Sequence, residues 1–175
     1  MLQAPARRSW SWQGKKACFY EKKGTTRVMY GGDILLIEDN PHDAELILST
    51  LRDKGEWGRI TTITNGAEAL DYFFGPEGCL QVEGARLPKF VLLDLNLPKV
   101  NGLEILKHLK ADTRTREMPV VVFSSSDEAQ DRINCYACGA NSYIVKPVDA
   151  DRFSSTVEEI LSYWMFQNRV SYNQA

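Results

Sequence analysis

The sequence predicts an α/β fold: a doubly wound, five-stranded parallel sheet with helices on both faces. Three observations predict it. Short apolar runs (Ile34-Leu-Leu-Ile37, Phe90-Val-Leu-Leu93, Val120-Val-Val-Phe123 and the milder Ser142-Tyr-Ile-Val145) read as strands buried on both sides. Segments with helical spacing alternate with those runs, which is the βα repeat of a parallel sheet. Each run also ends at a polar residue: Glu38 and Asp39, Asp94, Ser124, then Lys146. Open α/β sheets gather their ligands at that C-terminal strand edge.

The elements follow in order. After the first strand, Asn40-Pro41 opens a helix, with Asn at the N-cap, Pro at the first helical position and acids Asp43 and Glu45 in the first turn. Ala44, Ile47, Leu48 and Leu51 recur at helical spacing until Gly55. Ile60 and Ile63 mark an edge strand over 59–64, and Asn65-Gly66 turns into a helix with Ala67, Leu70, Phe73 and Phe74 on one face. Residues 75–89 lack periodicity and read as a long loop. A third helix opens near Gly102 and carries Leu103, Leu106 and Leu109; a fourth spans about 127–138. The last is the clearest, with Phe153, Val157, Ile160, Leu161 and Trp164 in register. Right-handed crossovers then order the strands 2-1-3-4-5.

Composition narrows the class. The 175 residues suit one ordinary domain, and 43% apolar with 25% charged residues excludes a disordered chain. No apolar stretch reaches a membrane span. Four cysteines without a signal peptide fit a reducing cytoplasm. Residues 1–32 carry seven Lys/Arg and one acid, Glu21, whereas the remainder holds 14 basic against 22 acidic residues. We therefore divide the chain into a basic N-terminal tail (1–32), one domain (33–168) and a C-terminal tail (169–175). The N-terminal tail shows no sustained periodicity. It is read as a flexible segment, as an arm for nucleic acid or acidic membrane, or as sequence preceding a start at Met29.

Glu38, Asp39 and Asp94, gathered at one edge, repel one another by roughly 1–4 kcal/mol per pair. The arrangement makes sense around a hard divalent cation. Ser124 and Lys146 are left for an anion, which points to phosphoryl chemistry.

This constellation resembles the receiver domain of two-component response regulators. Asp94 to Ser124 is 30 residues and Ser124 to Lys146 is 22, both spacings of that family. The local motifs agree: Ile-Glu-Asp at 37–39, Leu-Asp-Leu-Asn-Leu-Pro at 93–98, Asn-Gly at 101–102 and Gly-Ala at 139–140. The resemblance implies that Asp94 accepts a phosphoryl group from a phosphohistidine on a sensor histidine kinase, as a carboxylate nucleophile. It implies that Mg²⁺ is held by Glu38, Asp39, Asp94 and the backbone carbonyl of Asn96. Ser124 would donate its hydroxyl to a phosphoryl oxygen, and Lys146 would pair with another. Tyr143 matches the family's aromatic switch position, and Lys146-Pro147 its cis peptide. Ser125 stands where Ala or Gly is usual and narrows access to Asp94.

The chain ends about eleven residues after Trp164, so a single-domain regulator without a DNA-binding or enzymatic output domain is expected. The Leu-Asp-Leu-Asn-Leu-Pro motif, the long loop before the third strand and the Ser-Tyr-Trp end of the last helix resemble small regulators of bacterial phytochrome kinases. A homodimer through the fourth helix, fifth strand and fifth helix is expected on that likeness, with the apolar helix end at Tyr163, Trp164, Met165 and Phe166 as its anchor. Two readings compete with signalling by phosphorylation. A phosphatase of the haloacid dehalogenase type needs a second Asp two residues after the nucleophile, where Asn96 stands, and a cap domain. A receiver-like binding module that no longer takes phosphate usually lacks the aspartate or the lysine, and both are present. Cys135-Tyr-Ala-Cys138 has no second ligand pair near it in sequence, and His42 and His108 read as surface residues.

Overall fold

The computed structural model describes residues 8–12, 15–20, 28–30, 33–53, 59–81 and 85–172. The five-stranded sheet is as expected: β4 (Ile34–Ile37), β5 (Ile60–Ile63), β6 (Phe90–Leu93), β7 (Val120–Ser124) and β8 (Ser142–Val145), all parallel, in the order β5-β4-β6-β7-β8. Three more strands precede them as a separate antiparallel sheet: β1 (Arg8–Trp12), β2 (Lys15–Tyr20) and β3 (Val28–Tyr30). The sequence reading left that region without strands. Its one alternating stretch, Ser-Trp-Ser-Trp, is only four residues, the lower limit of a strand signal, and cross-strand pairing rather than periodicity defines these elements. Residues 1–7, Gly55 and 173–175 lie outside the described residues.

Strand alternation explains the two layers of core. Leu35, Ile37, Val91, Leu93, Val120 and Val122 face one side, where they pack with Ala69, Tyr72 and Phe73 of α2 (Gly66–Phe74), Ile105, Leu106 and Leu109 of α3 (Gly102–Ala111) and Cys135 of α4 (Ala129–Ala137). Ile34, Leu36, Phe90, Leu92, Val121 and Phe123 face the other, against α1 (Pro41–Asp53) and α5 (Ala150–Ser162). Strands with both faces covered must be apolar throughout, which is why the period-2 signal vanishes from the sequence.

Short polar side chains start the helices. Asn65, Asn101 and Asp149 each accept a hydrogen bond from the backbone N–H three residues on, at 2.9 Å. Before α1, the His42 N–H donates to Asn40 Oδ1 at 3.0 Å. The buried face of α2 is Ala69, Tyr72 and Phe73; the expected Ala67, Leu70 and Phe74 are only partly covered. An aromatic run at 72–74 fits two adjacent helical faces, and contact with α3 selects one. The expected continuation of α5 through Trp164 is also modified. The helix widens into a π turn over Tyr163–Gln167, burying Met165 and laying the Trp164 ring 6.4 Å from Phe90. Tyr163 and Phe166 stay about half exposed, so the apolar helix end is divided between core and surface.

The segment assigned to the C-terminal tail is attached to the domain. Tyr172 donates its hydroxyl to the Pro88 carbonyl at 3.0 Å, and Ser171 donates to Glu117. The loop over 75–89 is broken by a short 3₁₀ turn at Cys79–Gln81.

Gly102 is a steric requirement. A Cβ there would sit 2.1 Å from the Asp94 carbonyl oxygen and 2.7 Å from the Leu95 Cα. Helix propensity alone favours Gly102→Ala by about 1 kcal/mol. The clash is with backbone, so we expect a net loss of about 1–3 kcal/mol, read as a lower urea midpoint. A higher midpoint would show that the loop below Asp94 has room to shift.

Candidate phosphoacceptor and metal site

Hydrogen bonds that continue the strand ladder past the strand ends hold the site's backbone. The Glu38 N–H reaches Ile63 O at 2.9 Å, the Asp94 N–H reaches Ile37 O at 3.0 Å and the Lys146 N–H reaches Ser124 O at 2.8 Å. Because β6 lies between β4 and β7, Asp94 stands between Glu38 on one side and Ser124 on the other. The fold therefore brings together residues up to 108 positions apart in the chain.

Glu38, Asp94, Ser124 and Lys146 are buried, whereas Asp39, Asn96 and Ser125 are exposed at the mouth. One ligand oxygen from each of Glu38, Asp39 and Asp94 lies within 4.8 Å of the others, so this all-oxygen set fits a hard divalent cation. The Asn96 N–H donates to Asp94 Oδ1 at 3.3 Å, and its side-chain amide donates to Ser125 Oγ at 3.4 Å across the opening. Ser124 Oγ accepts a long 3.4 Å bond from the Ser126 N–H.

Lys146 is more heavily engaged than the sequence reading expected. Its ammonium donates to Glu38 Oε2 at 2.7 Å, to Asp43 Oδ2 at 2.9 Å and to Asp94 Oδ2 at 3.0 Å. Burial by itself would pull its pKa down, but the hydrogen bonds and charges of these carboxylates outweigh that and hold it above the ordinary lysine value. For Glu38 burial dominates. It pushes the carboxyl up to about 7 despite the opposing hydrogen bond and charge of Lys146, with the Asp94 charge adding to the rise. Glu38, Asp43 and Asp94 share this single ammonium.

Asp43 is the residue the sequence reading missed at the site. In the sequence it stands only as an acid in the first turn of α1. The available signal was its position: four residues past Asp39, at the end of α1 that abuts the strand edge.

A pH dependence follows from Glu38. A divalent cation requires the ionised carboxylate, so Mg²⁺ affinity measured by calorimetry should fall as pH drops from 8 through about 7 to 6. The stability effect has the opposite sense. The folded pKa lies above the reference 4.5, so the folded state binds more protons between about 4.5 and 7. In EDTA, the Glu38 contribution is therefore complete below pH 4.5 and lost as pH rises through 7. A Glu38→Gln variant should lose both trends, and a cation affinity level from pH 6 to 8 in the wild type would refute this account.

Tyr143 is half-buried. Its hydroxyl donates to the Ser126 carbonyl at 2.9 Å, and its backbone N–H donates to the Tyr136 hydroxyl at 3.2 Å. Burial raises its pKa. The expected cis bond before Pro147 is absent: no cis peptide occurs among the described residues. The trans preference of an X–Pro bond is small, so local packing decides the isomer, and the Lys146 N–H reaches Ser124 in the trans form. Cys135 and Cys138 are unpaired by disulfide; burial pushes the Cys135 thiol up to about 11, which keeps it a thiol. His42 and His108 are on the surface, as expected.

Comparison with known proteins gives the family. Residues 34–158 match the response regulator receiver domain model. Over 136 residues the chain is 43% identical to the probable methanogenesis regulatory protein FilR2 of Methanothrix harundinacea, covering 78% of this chain and 85% of that one. It is 31% identical over 132 residues to the response regulator Rcp1 of Synechocystis, covering 75% and 88%, and the Mn²⁺-bound form of response regulator Rcp1 superposes with a TM-score of 0.69. The phosphorylated cyanobacterial phytochrome response regulator RcpA is 31% identical with a TM-score of 0.72, covering 81% of this chain and 99% of that one. The chain belongs to the response regulator receiver family, the signalling domains of two-component systems. No described helix is long and apolar enough to cross a membrane.

Proposed function

We propose that the chain relays a signal by Mg²⁺-dependent phosphorylation of Asp94, in the cytoplasm, through protein contacts rather than by enzymatic output. The observation that supports this most is the Lys146 ammonium 3.0 Å from Asp94 Oδ2, beside carboxylates within ligand distance of one another. Glu38, Asp39 and Asp94 would hold the cation with the Asn96 carbonyl; when bound, it neutralises charge on the transferring phosphoryl oxygens. An Asp94 oxygen forms the new bond to phosphorus while the bond to the donor breaks, and an acyl-phosphate donor leaves as its carboxylate. Lys146 pairs with one phosphoryl oxygen and the Ser124 hydroxyl donates to another. Movement of Ser124 towards phosphate loosens the loop that Tyr143 holds through Ser126, making Tyr143 the switch.

The donor in this reading is a sensor histidine kinase of the phytochrome type, which the likeness to the phytochrome response regulator RcpA supports. The output surface is α4, β8 and α5, where Ile133, Tyr136, Val148 and Phe166 are exposed, with Val148 at 105%. We assign it to a homodimer. Incubation with acetyl phosphate should add one phosphoryl group by intact mass only when Mg²⁺ is present, and sedimentation should show a dimer that Tyr136→Glu and Phe166→Glu dissociate. Metal-independent uptake, or a monomer throughout, would refute the corresponding half.

A further inference from the structure

We infer that Asp43 is a positioning residue: it tethers the Lys146 ammonium to the first turn of α1 and aims it at Asp94. The inference rests on Asp94 being the phosphoacceptor. An ammonium has three N–H donors, and here all three are taken by carboxylates, those of Glu38, Asp43 and Asp94. Two of those carboxylates change their engagement during the reaction. Glu38 would be a ligand in the proposed cation site, where its carboxylate charge would be shared between the cation and Lys146. Asp94 gives up its carboxylate charge when it forms the bond to phosphorus, and the charge moves out to the phosphoryl oxygens.

Asp43 does neither. It stands apart from the group of three acids within ligand distance of one another, and its second oxygen faces His42 Nδ1 at 3.8 Å. Its side chain is 18% exposed, so its bond to the buried ammonium is poorly screened by water. The tether to α1 therefore persists while the other two partners are redirected, and the donor released by Asp94 is left pointing to where the phosphoryl oxygens arrive. A flexible four-carbon lysine stem would otherwise pay rotamer entropy to reach that geometry at each event.

The test is phosphorylation by acetyl phosphate at saturating Mg²⁺, with rate followed against donor concentration. Asp43→Leu should lower the rate at saturating donor about tenfold while the half-saturating donor concentration changes less than about twofold. Asp43→Asn keeps an oxygen acceptor at the same place and should stay within about threefold of wild type. A wild-type rate in Asp43→Leu would overturn the inference. So would a loss in Asp43→Asn as large as in Asp43→Leu, because site charge rather than aim would then be responsible. Wild-type protein that takes no phosphate would instead remove the phosphoacceptor reading, and the tether's role with it.

Discussion

Asp94→Asn is expected to take up no phosphoryl group from acetyl phosphate or a cognate kinase, a loss of at least about 100-fold in initial rate. The substitution is nearly isosteric and keeps the pocket filled, but an amide offers one oxygen where Asp94 uses two, Oδ1 for the Asn96 N–H and Oδ2 for Lys146, so only one of those two bonds keeps its acceptor. What it removes is the anionic nucleophile and one of the three carboxylates within 4.8 Å of one another. Intact-mass measurement over a time course reads the first effect, and weakened Mg²⁺ binding by calorimetry reads the second. Phosphorylation of Asp94→Asn at the wild-type rate would place the acceptor elsewhere, with Asp39 the exposed carboxylate of the same group.

Lys146→Met should be the most destabilising single change at the site. It leaves Glu38 and Asp94, whose side chains are 2% and 5% exposed, without the cation that pairs them. Removing one partner from a buried ion cluster typically costs about 3–5 kcal/mol, because the remaining charges are stranded rather than because the bonds were strong. For a chain of this size that corresponds to a fall of about 10 °C in melting temperature. Two controls separate this cause from lost packing. Mg²⁺ should restore more stability to Lys146→Met than to wild type, since stranded carboxylates bind a cation gladly. Lowering the pH should also narrow the gap, because protonating the stranded acids removes the penalty. A melting temperature in EDTA equal to wild type would mean that water reaches these carboxylates when the lysine is gone.

Much of this molecule is legible without coordinates because its central strands are covered on both faces. Such strands must be apolar at each position and must end where the sheet meets solvent, so Glu38, Asp94 and Ser124 stand out at the ends of unmistakable runs, while Lys146 follows the milder run of the edge strand β8. Their spacing along the chain reflects the length of one βα unit, which is why 30 and 22 residues identify the family. The start of α1 at Asn40-Pro41 is equally local, since the Asn40 side chain accepts from a backbone N–H two residues away.

The rest depended on contacts between distant segments. Whether Ala69 or Leu70 faces the core is decided by α3, not by α2's own sequence. Met165 lies in the core and Trp164 packs partly buried near Phe90 where the end of α5 widens into a π turn; helical periodicity alone puts Trp164 on the buried face and does not single out Met165. The strands at 8–30 exist through pairing across segments whose own alternation is brief. Asp43 is the clearest case. Sequence alone puts an acid in the first turn of α1, where it favours the helix dipole. That the same carboxylate meets an ammonium 103 residues away comes from the tertiary structure, because the packing of α1 against α5, the helix that follows Lys146, puts the two charges within hydrogen-bond reach.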